Sequence, residues 1–293
     1  MRCVITGGRG FVGTHLDAQL RAAGHQVTLL DRAEFDVADR HSVDKSFASA
    51  APELIFHLAA LTHVGRSWED PAVVHRVNVG GTHAVLLAAE QVGAHAVVVV
   101  GSSEEYGSVD PGDTPIVETH RLMPISPYAK SKVEATTLAV EFAASSATRV
   151  VIARPFNHTG PGQATNFLIP ALAERIRNAV SEGSHSIMVG NLDPIRDIGD
   201  VRDVVRAYIG LAESGENGEI YNVCTGVGVS VLEIANMLVS LSGADLSLEQ
   251  DSDLVRKVDT PILIGDNSKI KARTGWCPTI DLRTTLQDVL TSG

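Results

Sequence analysis

The sequence predicts an α/β protein in which a doubly wound parallel sheet carries a smaller C-terminal lobe. Three observations predict it. The first half alternates short Val/Ile/Leu runs with amphipathic stretches, the pattern of strands buried on both faces and joined by helices. A glycine-rich turn follows the first apolar run. After Pro155 the alternation loosens into Gly-, Pro- and Asn-rich segments between further amphipathic helices.

In chain order, CVIT (3–6) reads as the first strand and residues from about 10 to 23 as the first helix. Strands follow at 26–30 (QVTLL) and 54–59 (LIFHLA), a helix at 83–93, and strands at 95–102 (HAVVVVGS) and 149–155 (RVVIARP). Strands alternating with helices imply βαβ units with right-handed crossovers. Beyond Pro155, helices are predicted at about 168–180, 201–212, 230–243 and 282–291, with strands at 186–190 and 219–226. No Ser/Pro-rich linker separates the halves, so two closely packed lobes with a cleft between them are expected.

The formal net charge of −11 argues against nucleic-acid binding, which needs a basic footprint. An anionic ligand must therefore be met by locally placed Arg, Lys or backbone N–H groups. No apolar run reaches the ~18 residues of a membrane span. MRCVITGG reads as a strand entering a turn rather than a secretory signal, so a cytoplasmic location is expected. Cys3, Cys224 and Cys277 have no metal-like spacing and are expected to be reduced and buried or partly buried. No metal site is expected.

Gly7, Gly10 and Gly13 form a GxxGxxG turn between the first strand and first helix, with Phe11 and Val12 opening that helix. The first glycine permits the tight turn, the second lets backbone approach a pyrophosphate, and the third lets helix pack on sheet. The helix N-terminus then offers free N–H groups to the anion. Asp31 ends the second strand at the place where an acid meets a ribose 2′-hydroxyl. These features predict a Rossmann-type NAD(P) site. Asp31 favours NAD, whereas the adjacent Arg32 is either a partner for the 2′-phosphate of NADP or a solvated surface charge. Asp36 and Val37 read equally as an adenine edge or a simple turn.

Tyr128 and Lys132 lie at i and i+4, on one face of a helix. A nearby ammonium is expected to lower the phenol pKa, so that Tyr128 exchanges a proton with a carbonyl oxygen as hydride moves. Ser102, at the end of the HAVVVVG strand, is placed to bond that oxygen.

The segments TGGRGFVG, HLAA (57–60), NVGGT (78–82), SSEEYG (102–107), SPYAKSK (126–132) and RPFN (154–157) resemble the extended short-chain dehydrogenase/reductase family over nearly the whole chain. The resemblance implies that Ser102, Tyr128 and Lys132 are catalytic and that Lys132 also holds the nicotinamide ribose. It implies that Leu58, Ala59 and Ala60 lie against the cofactor and that Asn78 supports its pocket. FNHTGPGQ (156–163), GNLDPIRDIGDVRDVVRAY (190–208), YNVCTG (221–226) and DTPILIGDNSKIKARTGW (259–276) resemble the GDP-sugar reductases of that family, and GDP-mannose 4,6-dehydratases share parts of the pattern. That likeness implies NAD(P)H-dependent reduction of GDP-4-dehydro-6-deoxy-D-mannose at C4.

On the same resemblance His63, Ser103, Glu104, Asn157, Arg196, Arg256 and Asp259 contact the sugar nucleotide. Arg suits a diphosphate because its planar fork binds bidentately. Plain structural roles stand beside these: a turn cap for Asn157, pairing with Asp197 or Asp200 for Arg196, a surface charge for Arg256. Where the relatives have Arg-Pro this chain has Arg256-Lys257, which loosens the segment presenting Arg256. Glu104 occupies the place of the dehydratase base that takes the sugar C5 proton. Against a dehydratase stand the short chain, the absence of an Arg-rich extension after Leu30 and the reductase-like FNHTGPGQ run. The fold is also compatible with an epimerase or with a sensor that binds the dinucleotide without turnover.

The expected division is an NAD(P)-binding domain over 1–156, to which 195–226 returns, and a substrate-binding lobe over 157–194 and 227–293. The resemblance also implies a homodimer through the helices near 83–93 and 128–145.

Overall fold

The apolar runs become strands because alternate residues of each feed two different cores. In the computed structural model, which describes residues 1–254 and 260–292, the strands are β1 (Arg2–Thr6), β2 (Gln26–Leu30), β3 (Leu54–His57), β4 (Ala96–Val100), β5 (Arg149–Pro155), β6 (Asn157–Thr159), β7 (Ser186–Val189), β8 (Ile195–Asp200), β9 (Ile220–Val223), β10 (Gly228–Ser230), β11 (Ser247–Gln250) and β12 (Ile262–Leu263). The helices are α1 (Phe11–Ala22), α2 (Arg40–Ala50), α3 (Pro71–His75), α4 (Gly81–Gln91), α5 (Pro127–Ala143), α6 (Leu168–Glu182), α7 (Val201–Ser214), α8 (Val231–Ser242), α9 (Ser268–Thr274) and α10 (Leu282–Thr291).

The central sheet has the order β2-β1-β3-β4-β5-β9, and every pair in it is parallel. In β4, Ala96 and Val98 pack into a core formed with α1 and α7. Val97 and Val99 pack into the opposite core, with α2, α4 and α5. Full burial of such a side chain stabilises by about 1.5–3 kcal/mol. This is the doubly wound Rossmann-type sheet the sequence predicts. The chain changes sides between β1 and β3, so the crevice expected of such sheets opens at their carboxyl ends.

A third core joins α6, α8 and α10 to β7 and β8. Beside it, β8 pairs with β6, β10 and β12, and β7 pairs with β11. Within segment 195–226, α7 and β9 belong to the central layers, while β8 lies in this second sheet. Three buried aspartates bind the C-terminal segments to the rest. Asp197 accepts from the N–H groups of Thr225, Gly226 and Gly265 and from the Thr225 hydroxyl. Asp200 accepts from Arg202 and Thr285, and Asp203 from Thr279 and the Ile280 N–H.

Helix starts follow local chemistry. Ser126 caps α5 by accepting from the Ala129 N–H, with Pro127 at the first helical position. Helix α2 has only Val43 and Phe47 buried, too sparse an apolar stripe for the sequence pattern to reveal it. Cys3 and Cys224 are buried as expected, but Cys277 is exposed, because it sits in the loop between α9 and α10. Among the described residues no helix is long and apolar enough to cross a membrane, and no cluster of His, Cys, Asp and Glu has metal-binding geometry.

Candidate active site

A single cleft of about 1630 Å3 runs from the glycine-rich turn to the second lobe. Gly7 adopts φ +70, and a Cβ there would stand 3.0 Å from the Ala59 backbone. Gly13 faces a tighter limit, 2.5 Å from the Gly8 carbonyl oxygen. Only glycine keeps this floor open where β1 and β3 end side by side. Gly10, Phe11, Val12, Leu58 and Ala60 line the same end of the cleft.

Asp31 is held in place by backbone. Its Oδ2 accepts from the Arg9 N–H at 3.0 Å and its Oδ1 from the Arg32 N–H at 2.6 Å. The carboxylate and Arg32 both line the cleft. Asp36 and Val37 line it as well, and Asp36 also closes a turn by accepting from the Ala38 N–H. Asn78 is different: it lies behind the cleft wall rather than in it. Its side chain exchanges two hydrogen bonds with the Leu61 backbone and donates to the Ser131 hydroxyl. Asn78 thus supports the loop after β3 that lines the cleft.

Ser102, Tyr128 and Lys132 meet midway along the cleft, and all three are buried. The Ser102 hydroxyl is in hydrogen-bonding contact with the Tyr128 phenol. Lys132 Nζ donates to the Val100 carbonyl at 2.7 Å, and burial lowers its pKa to about 8. The expected depression of the Tyr128 phenol by Lys132 is not found. Burial raises that phenol strongly, and the acidic charges of Glu104 and Glu105 add to the rise.

His63, Ser103, Glu104, Asn157 and Arg196 all line the cleft. Asn157 lies exposed on β6, not at a turn. Arg196 donates to its neighbour's carbonyl, that of Ile195, while Asp197 and Asp200 have the partners given above. Arg256 and Asp259 lie outside the described residues.

Two polar clusters that the sequence pattern does not announce flank the centre. In the first, Thr82 uses its hydroxyl proton on the Asn78 carbonyl, so His57 Nε2 must donate to Thr82 Oγ1. His57 Nδ1 then accepts from Thr6 Oγ1, which accepts from the Ala59 N–H. Burial, with the Lys132 charge nearby, lowers the His57 pKa to about 3 and keeps it neutral.

In the second cluster, Glu105 Oε2 accepts from Arg154 Nε at 2.9 Å and Nη2 at 2.6 Å. Glu105 Oε1 accepts from the Ser102 N–H and from the Thr136 hydroxyl. Arg154 Nη1 reaches the Tyr106 hydroxyl, which donates to Asn222. Burial pushes the Glu105 carboxyl upward, opposed by the Arg154 charge and the Ser102 N–H; all four contacts donate to it, the arrangement that suits a carboxylate. One signal of this cluster is readable in the sequence: Ser102-x-x-Glu105 is a capping box, and it starts the short 3-10 turn Ser103–Glu105. His158 carries no such signal. It donates from Nδ1 to the Phe156 carbonyl and stacks on Phe11 with ring centroids 6.2 Å apart.

The model of the NAD dependent epimerase/dehydratase family matches residues 3–224. The chain belongs to that family. GDP-6-deoxy-D-mannose reductase of Pseudomonas aeruginosa is 33% identical over 99% of this chain and 96% of the relative. The structure of RMD from Pseudomonas aeruginosa complexed with NADPH superposes with a TM-score of 0.91 at 32% identity, covering 100% of this chain and 98% of the other. UDP-glucose 4-epimerase of Thermus thermophilus, in complex with NAD, gives a TM-score of 0.89 at 27% identity over 100% and 98%. The family thus uses the dinucleotide cofactor that the glycine turn predicts, and its members act on nucleotide sugars.

Proposed function

We propose that this protein reduces the C4 keto group of GDP-4-dehydro-6-deoxy-D-mannose with NADPH or NADH, giving GDP-D-rhamnose or a related GDP-6-deoxyhexose. The observation that carries the reading is likeness to the Pseudomonas reductase along 99% of this chain. The meeting of Ser102, Tyr128 and Lys132 in one cleft agrees with it.

The residues fit a dinucleotide. The floor that admits no Cβ at Gly7 leaves room for a pyrophosphate against the start of α1. Asp31, fixed by two backbone N–H groups, suits ribose hydroxyls. When bound, the reduced nicotinamide supplies the hydride. Tyr128 donates its phenolic proton to the C4 oxygen as the carbonyl carbon is reduced, and the Ser102 hydroxyl bonds that oxygen. Lys132 orients the ribose beside Tyr128. A raised phenol pKa suits this direction of reaction, because Tyr128 stays protonated and an alkoxide is far more basic than a phenolate. His63, Ser103, Asn157 and Arg196 bind the sugar nucleotide in this reading, with Arg196 toward the diphosphate. The second lobe is the substrate-binding lobe, and α4 with α5 forms a homodimer interface, which sedimentation analysis tests.

One observation favours a second reading. Glu104 lines the cleft beside Ser102. As a base toward C5 it would make the protein a GDP-mannose 4,6-dehydratase that recycles its cofactor. The test mixes purified protein with GDP-4-dehydro-6-deoxy-D-mannose and NADPH or NADH and follows nicotinamide absorbance. Oxidation with a GDP-6-deoxyhexose product supports the reductase. No oxidation, with conversion of GDP-mannose in the absence of reductant, would replace it by the dehydratase.

A further inference from the structure

We propose that Glu105 is a positioning residue for the reaction: its carboxylate, anchored by Arg154, fixes the backbone of Ser102 and supplies the buried anion that faces the Lys132 ammonium. The inference rests on the proposed roles of Ser102, Tyr128 and Lys132 and adds a residue that touches neither cofactor nor substrate.

The geometry begins at the end of β4. Gly101 leaves no room for a side chain, because a Cβ there would stand 2.5 Å from Glu105 Oε1. The carboxylate therefore packs directly on the strand end that carries Ser102. From there Oε1 takes the Ser102 N–H at 2.8 Å, which sets the backbone from which the Ser102 hydroxyl reaches Tyr128. The same Oε1 takes the Thr136 hydroxyl at 3.1 Å. Thr136 stands one helical turn after Lys132 on α5, so the two share the face turned to Glu105. Lys132 Nζ in turn donates to Val100, the residue before Gly101.

The charged arrangement is closed. Arg154 from β5 approaches Glu105 through two guanidinium N–H groups, and the two side chains are 1% and 0% exposed. A buried ion pair of this kind is a costly way to gain stability, since apolar residues of similar volume do as well or better. Its placement on Ser102 gives it another use. The groups facing Glu105 are Arg154 from β5, and Lys132, Thr136 and the Tyr128 phenol from α5. The groups facing Lys132 are Glu105 and the neutral His57 of β3. Glu105 is thus the anion that opposes the loss of the Lys132 proton on burial.

The sign of the test follows. Removing the Glu105 charge lets Lys132 lose its proton at lower pH. In Glu105→Gln the amide oxygen still accepts from Ser102, so shape is kept while charge is lost. The alkaline limb of the kcat–pH profile is expected to move down by about one pH unit, with a smaller change in KM. Because this substitution alone leaves Arg154 as an unpaired buried cation, Glu105→Gln/Arg154→Met is made in parallel; it removes both charges and is expected to fold and to show a smaller downward shift, because loss of the more distant Arg154 cation works in the opposite sense. A measurement that needs no turnover accompanies both: the 13Cε shift of Lys132 in lysine-labelled protein, followed against pH, should titrate lower than in the unaltered chain, by about one unit in Glu105→Gln and by less in the double variant. Folded variants with unmoved Lys132 titration overturn the inference even if the protein proves to be no reductase. Failure of the unaltered chain to oxidise NADPH or NADH would instead strike the functional reading alone.

Discussion

The two polar clusters beside the active centre solve one problem with opposite chemistry. Toward β3, Thr6, His57, Thr82 and Asn78 form a wholly neutral chain in which every proton has one consistent place. Toward β5, Glu105 and Arg154 form a buried ion pair. The neutral chain runs from the glycine-rich turn through Asn78 to Ser131, whose hydroxyl donates to the Tyr128 carbonyl. The ionic cluster runs from Arg154 through Glu105 to Ser102. Both end on residues of the proposed triad. The neutral chain can set geometry only, whereas the ionic cluster also sets charge.

The largest expected effect comes where the clusters converge. Tyr128→Phe removes the proposed proton donor while leaving the α5 backbone and Ser131 in place. Loss of a positioned acid is expected to lower kcat by about 10²–10⁴-fold. Cofactor affinity, measured by fluorescence titration, is expected to change little. Full activity in this variant would show that neither cluster serves that phenol.

Arg154→Ala comes next. It strands the Glu105 carboxylate, and breaking one partner of a buried pair costs about 3–5 kcal/mol. Chemical denaturation of the intact chain measures it. A loss below about 1 kcal/mol would mean that the site admits water, and the contrast between a dry ionic cluster and a dry neutral one would fall.

How much of this was legible in the sequence depends on which face a residue serves. Runs such as AVVVV of β4 declare themselves because both faces of the sheet are buried, and so do Gly7, Gly10 and Asp31, whose signal lies in local backbone geometry at a strand end. The pairing of Glu105 with Arg154 spans 49 residues of sequence and uses two types that are rarely fully buried. Nothing in composition or period announces such a partner, and only the capping-box spacing marks Glu105. His57 was visible inside HLAA, but its tautomer depends on Thr6 and Thr82 from two other segments. The expectation for Lys132 failed for a related reason: spacing places an ammonium near a phenol, but burial and the Val100 carbonyl decide what it does there. Strands β8 and β11 lack a strong apolar run for different reasons: β8 buries Asp197, Gly199 and Asp200 around Ile198, whereas β11 pairs with β7 and leaves three of its four residues exposed.

His57→Asn tests the neutral chain. An Asn side chain is too short to bridge Thr6 and Thr82 together, so a buried hydroxyl loses its partner at a cost of about 1–3 kcal/mol. The pH dependence carries the sharper sign. The folded-state pKa of about 3 lies below the unfolded value of 6.5, so the unfolded chain binds the extra proton between those limits. The stability contributed by neutral His57 is complete above pH 6.5 and is lost as the pH falls toward 3. The variant lacks this contribution to the slope, and thermal melts from pH 7 down to 4 should show a shallower decline than the unaltered chain. Parallel curves would place a proton, and hence charge, in the cluster described as neutral.

The smallest expected effect separates the two clusters most finely. Thr136→Val keeps volume and helix position but removes one hydroxyl donor from Glu105 Oε1. The carboxylate keeps the Ser102 N–H and both Arg154 donors and is not left unsatisfied, so the cost should be near the net worth of one hydrogen bond, about 0.5–1.5 kcal/mol. Because Val removes no charge, Lys132 should titrate as before. A neutral chain loses its order when one link goes, since each hydroxyl there has a single proton to place. An ionic cluster with four donors on one carboxylate should tolerate the loss of one. If Thr136→Val shifts the alkaline limb as far as Glu105→Gln does, then the hydroxyl, not the charge, couples Glu105 to α5.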